Sequence, residues 1–219
     1  MGPSVGRCRL EKTLYVETNF VVGLAKGQDP EGAALLNNDY HDINIIFPSL
    51  CFMESISTWA FEKKRRTKFS DELQAHAQEI KRDRTEPTAL PLAEGCGEVR
   101  LGIDRHLRYM SARLNHCLSR LNDLAARLNP DVAMIHEALS NDYIIDPTDN
   151  LIYCCVLLHA RLNHAPTARK AFVTGNYKDF DRADLIGPLK QAGVSYFRTT
   201  ANALGWLRRP LDSSPIDPS

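Results

Sequence analysis

A chain of 219 residues suits one domain, or one domain with a sizeable insertion, and buries roughly 70% of its unfolded surface, so its core needs no metal or disulfide. Its 43% hydrophobic and 25% charged residues are ordinary values for a soluble globular protein. Lysine plus arginine balance aspartate plus glutamate at 27 each, so overall charge singles out no partner and any nucleic-acid surface has to be a local patch.

Residues 1–12 read as an N-terminal extension, in which Arg7, Arg9, Glu11 and Lys12 interrupt any apolar leader. Thr13–Glu17 is a short apolar strand candidate ending on a carboxylate, and Thr18 and Asn19 then break the run and cap a helix. A second strand, Ile43–Phe47, is closed by Pro48 and Ser49, with Ser49 the expected cap of a helix through Trp59 to about Lys64. From Phe61 to Asp142 the pattern holds no convincing strand. Ser70–Arg84 reads as a helix, Glu86–Gly97 as a connector, and Leu107, Met110, Leu114, Cys117, Leu121, Leu124 and Leu128 line one face of a long amphipathic helix. This middle is expected to be an inserted helical hairpin.

Asp146, Pro147 and Thr148 mark the start of an apolar helix, Asp149–Leu162. Ala171–Thr174 and Val194–Arg198 are further strands, with helices over Asp184–Ala192 and Thr200–Leu207, and the tail 209–219 is expected to be disordered. Brief apolar strands without strict alternation, separated by helices, predict an α/β fold with a mainly parallel sheet over 13–208, carrying the helical insertion at about 61–142. No stretch reaches the ~20 apolar residues of a membrane span, and the six cysteines form no C-x-x-C pair, which predicts a cytoplasmic protein with reduced thiols.

Four places put a metal-capable oxygen at a strand end or inside a helix that should pack: Glu17, Glu54, Asp149, and Asn176 with Asp179 and Asp181. Ligand sites of open parallel sheets form at the carboxyl ends of strands, where three of these places converge. Clustered carboxylates repel one another without a cation, and hard divalent ions prefer their oxygens. Taken singly, Glu17 and Asp149 read more readily as helix caps and Glu54 as a solvated helix residue; together, in strand–helix context, they make a site.

The order of these motifs resembles the PIN-domain nucleases. LYVETNF is similar to the family's opening motif, FPSLCFMES to its second, DPTDNLIYCCVLLHA to its third and FVTGNYKDF to its fourth; the four cover both ends of the chain but not Phe61–Asp142. The resemblance implies a three-layer sandwich and a nuclease dependent on Mg²⁺ or Mn²⁺, acting on single-stranded or structured RNA through metal-activated water. Carried over by position, Glu17, Glu54, Asp149 and Asp179 would be catalytic, with Glu17, Glu54, Asp149 and Asn176 on the metal. Thr18, Asn19 and Thr174 would order them by hydrogen bonding. The family ordinarily has Asp where this chain has Glu17, and some relatives have a carboxylate in place of Asn176. The alternative reading is a weak or inactive PIN-like module that binds RNA or protein, with structured DNA as a third substrate class.

The densest basic run, Lys63, Lys64, Arg65 and Arg66, reads either as a substrate-binding surface or as a solvated helix face. An antitoxin-like protein inhibitor and a homodimer are the partners the resemblance and the Leu107–Leu128 stripe admit. The histidines form no metal motif, and the lack of GxGxxG, Walker A and GxSxG sequences removes support for dinucleotide, NTPase and serine-hydrolase readings.

Overall fold

The computed structural model describes residues 12–37, 39–163 and 168–209; the extension up to Glu11, the tail from Pro210, Cys8 and His164 lie outside the described residues. Five strands, β1 (Lys12–Val16), β2 (Ile43–Pro48), β3 (Ala126–Leu128), β4 (Arg169–Val173) and β5 (Val194–Phe197), form one parallel sheet in the order β3-β2-β1-β4-β5. The helices α1 (Thr18–Lys26), α2 (Pro30–Leu36), α3 (Leu50–Ile80), α4 (Ala89–Leu124), α5 (Val132–Ser140), α6 (Pro147–Leu162), α7 (Tyr177–Phe180), α8 (Ala183–Gln191) and α9 (Thr200–Arg208) complete a three-layer α/β sandwich.

Alternation along each strand divides the core. Leu14, Val16, Ala171 and Val173 face α1, α4 and α9, whereas Tyr15 and Phe172, paired in register, face α6 and α8. Both sets are buried, which explains why the strands read as continuous apolar runs. The central helix α6 starts at Asp146, whose side chain accepts from the amides of Thr148 and Asp149, with Pro147 in its first turn. Its residues Ile152 to Leu157 are buried without interruption, and the Tyr153 hydroxyl donates to the Leu185 carbonyl at 2.9 Å. Truncating a ring such as Phe172, fully buried in this layer, costs about 3–5 kcal/mol. Among the described residues no helix is long and apolar enough to cross a membrane.

The expected helical hairpin is α3 and α4, and it differs in detail from the sequence reading. One unbroken helix replaces the two expected between Ser49 and Arg84, because residues 59–80 are rich in strong helix formers and pack on α4. The connector shrinks to residues 81–88. Pro91 falls in the first turn of α4, where its missing N–H costs nothing, and buried Ala89 and Ala93 hold the turns containing Gly95 and Gly97. Ser49 precedes α3 without a side-chain capping bond. A strand does occur in the middle of the chain: β3 pairs with β2 from Ile46↔Ala126 to Pro48↔Leu128. Lys12 belongs to β1 rather than to an extension.

At the end of α1, Gly27 adopts a left-handed conformation (φ 71°), and its N–H bonds the Gly23 and Leu24 carbonyls. A Cβ there would lie 2.7 Å from the Arg113 guanidinium, so glycine lets α1 and α4 approach closely. This approach and the Lys26–Glu62 ion pair at 2.5 Å mark where the hairpin leaves the body. Beyond them α3 continues from residue 63 to 80, a projection of about 27 Å at 1.5 Å per residue.

Candidate acidic site at the strand ends

Glu17 follows the last residue of β1 and is the N-cap of α1. Its Oε2 accepts from the Asn19 backbone amide at 2.7 Å, while its Oε1 is buried with no hydrogen-bond partner. Thr18 and Asn19, expected as the caps, are instead the first helical residues; Asn19 acts on Glu17 through its backbone, and its side chain is exposed. Burial raises the Glu17 carboxyl from the ordinary 4.5 to about 7, and the Asp149 and Glu54 charges add to the rise against the Asn19 amide and the Thr174 hydroxyl.

Glu54 comes from the first turns of α3 and is half-buried. The Thr18 hydroxyl donates to its Oε2 in a short hydrogen bond, and burial raises its carboxyl despite that bond. Asp149, only 9% exposed at the start of α6, accepts from Asn176 Nδ2 at 2.8 Å. Its carboxyl is pushed up to about 6, first by burial and then by the charges of Glu54, Asp146 and Asp179. The Asn176 amide in turn donates to the buried Thr174 hydroxyl at 2.9 Å. Thr18, Thr174 and Asn176 thus tie α1 to α3 and the end of β4 to α6 around the carboxylates.

Asp179, in the single turn α7, contributes charge at Asp149, whereas Asp181 is engaged by Arg198. Two members went unrecognised in the sequence. Asp146 reads there only as a helix-start signal, yet its charge acts on both Glu54 and Asp149. Cys51, hidden in an apolar segment, is fully buried beside Thr18, and burial with the Glu17 charge keeps it a thiol. Lys63, Lys64 and Arg65 are exposed, and Arg66 pairs with Glu62 at 3.3 Å. They lie about 14–18 Å along α3 from Glu54.

Trp59 and Trp206 pack against the core rather than standing free, and His159 bonds the Tyr15 hydroxyl at 2.9 Å. The five described cysteines, Cys51, Cys96, Cys117, Cys154 and Cys155, are free thiols.

The donor set suits a hard divalent cation by its chemistry. All the oxygens are carboxylate or amide, one buried carboxylate oxygen is unpartnered, and the raised carboxyls report negative charge that no lysine or arginine among the described residues offsets. Among the described residues, no three of His, Cys, Asp or Glu are already set around one point as a cage. The fit is therefore one of donor type and placement, with the Thr18 and Asn176 bonds occupying oxygens that an ion would share. Comparison with protein families, curated proteins and solved structures gives no match.

Proposed function

We propose that this chain is a PIN-like, divalent-metal-dependent nuclease, a hydrolase of phosphodiester bonds with RNA as its substrate. The observation that carries the proposal is the convergence of Glu17, Glu54 and Asp149 at the carboxyl ends of parallel strands, with Glu17 raised by burial and the Asp149 and Glu54 charges, and Asp149 by burial and the Glu54, Asp146 and Asp179 charges. Glu17, Glu54 and Asp149 would hold Mg²⁺ or Mn²⁺, with Asn176 as a neutral oxygen donor. The ion, when bound, supplies activation of water and stabilisation of charge on the phosphoryl group. Thr18 fixes the rotamer of Glu54, Asn176 that of Asp149, and Thr174 holds the Asn176 loop. Asp179, half-exposed beside Asp149, is placed to accept a proton at the solvent side.

Incubation of the purified chain with labelled single-stranded RNA and DNA, with and without Mg²⁺ or Mn²⁺, tests this reading. Metal-dependent cutting is expected, with Asp149→Asn reducing it about 100-fold or more, as removal of a ligand to the metal does. Cutting that persists undiminished in Asp149→Asn would sink the assignment of the site. A second reading, a non-catalytic binding module, is favoured by one observation: Glu17 is committed as a helix cap where the resembled motif has the shorter Asp. Absence of cutting, together with no thermal shift on adding either metal, would select it.

A further inference from the structure

The hairpin carries features that the acidic site does not use. On one side of it, between α3 and α4, runs a groove of about 690 Å³ lined by Arg65, Phe69, Val99, Gly102 and His106 among others. Phe69 and Val99 are more than half exposed, and so are Phe61 and Tyr109, which continue the two stripes at helical spacing. Gly95 and Gly102, two turns apart on α4, have open space where a Cβ would stand, so nothing among the described residues calls for glycine there. Each costs about 1 kcal/mol relative to alanine inside a helix. A second helix lying across this stripe would use the bare backbone for close approach.

Charge is divided sharply along the same arms. Near the body, the basic run from Lys63 to Lys68 adjoins Arg105, Arg108 and Arg113 on the facing stretch of α4, with no acid among residues 63–68 and 105–113. Beyond the groove, Asp71, Glu72 and Glu79 on α3 and Glu94 and Glu98 on α4 form an acidic stretch with no lysine or arginine within residues 70–79 and 89–98, although Lys68 pairs with Glu72 at 3.6 Å and Lys81, Arg82 and Arg84 lie in the turn past it. The groove sits at the boundary, where Ser70 meets Asp104 across the hairpin.

We propose that two copies of this chain associate through their hairpins, packed antiparallel. The basic half of each arm then lies against the acidic half of the other, with the Phe69–Val99–Gly102 groove at the two-fold axis. An antiparallel pair matches both halves at once. A parallel pair would oppose like charges, an acidic peptide would leave the acidic stretch unmatched, and a nucleic acid running along the arm would be repelled by that stretch. This assigns Lys63, Lys64, Arg65 and Arg66 to the partner copy, and it holds whether or not the acidic site cuts.

Sedimentation equilibrium of the full chain over a range of concentration and salt tests the proposal. A two-chain species of twice 24.6 kDa, weakened by salt, is expected. The double change Glu94→Lys, Glu98→Lys, both exposed, should raise the dissociation constant about 10-fold or more. Mixing that variant with Lys64→Glu, Arg65→Glu should restore association as a mixed pair. Gly102→Leu, which has room in the isolated chain, should weaken association with an unchanged circular dichroism spectrum. A chain that stays single at every concentration overturns the proposal, as does a pair indifferent to both the charge reversal and Gly102→Leu. Loss of labelled single-stranded RNA binding by a single-chain Lys64→Glu, Arg65→Glu variant would also overturn it, in favour of a nucleic-acid surface.

Discussion

The two edges of the sheet handle buried charge in opposite ways. At the amino-terminal edge, Lys170 is 3% exposed and donates to the Ala160 carbonyl at 2.8 Å. Arg169 donates to the Trp206 carbonyl at 3.0 Å and lies over its ring, and Lys12 pairs with Asp42 at 2.5 Å. At the carboxyl-terminal edge, Glu17 and Asp149 are buried beside further acids, with one oxygen unpartnered and both carboxyls raised. Buried charge in itself therefore does not mark a site in this molecule. What separates the edges is compensation: the cations of one are met by carbonyls, a ring and a carboxylate, whereas the acids of the other sit beside further acids.

The contrast is sharpened most by titrating stability. Below the ordinary pKa of 4.5 Glu17 is protonated in both folded and unfolded chains and its charge costs nothing. Between 4.5 and about 7 the unfolded chain releases the proton and the folded chain keeps it, so stability falls as pH rises, by about 3 kcal/mol from this group. Asp149 adds a fall of the same sign between 3.8 and about 6. Denaturant unfolding across this window should show the decline, and Glu17→Gln should remove the larger part of it. Mn²⁺ should protect more strongly as pH rises through the same range, because an ion prefers the ionised carboxylates; protection independent of pH would break the contrast.

The opposite edge should respond with the opposite sign. Lys170→Met keeps the buried stem but removes the ammonium that donates to the Ala160 carbonyl, and should lower stability by about 1–3 kcal/mol at neutral pH in the same measurement. A neutral or stabilising outcome would mean that the lysine is as ill-compensated as the acids. The smallest effect is expected from Lys12→Ala, which breaks a pair whose Asp42 partner is well exposed. A loss of 1 kcal/mol or less in thermal unfolding is expected there.

Much of this was legible in the chain because apolar runs end on polar residues at the places that matter. Four strands, the helix opened by Asp146-Pro147 and the long hairpin follow directly from such runs and their spacing. The strand Ala126–Leu128 was not legible: it is three residues long, two of them exposed, and pairing with β2 rather than its own pattern makes it a strand. The helix Pro30–Leu36 did carry a signal, since Asp29 caps it and Pro30 opens it, but seven residues show too little periodicity to stand out. Asp146 could be read for its backbone role alone, because its effect on Glu54 arises only when α3 and α6 meet, and its charge on Asp149 matters only once burial removes both from water.

The ends of the hairpin are fixed by neighbouring parallel strands, β2 before it and β3 after it, whereas residues 63–112 lie beyond the contacts at Lys26 and Gly27. Removing or adding seven residues in each arm would slide the tip by about 10 Å and turn its faces by only about 20°. The crossover is thus a slot that accepts arms of different lengths in matched steps. Reach and surface at the tip are free to diverge among descendants of this chain, while the strand ends that carry the carboxylates stay where they are.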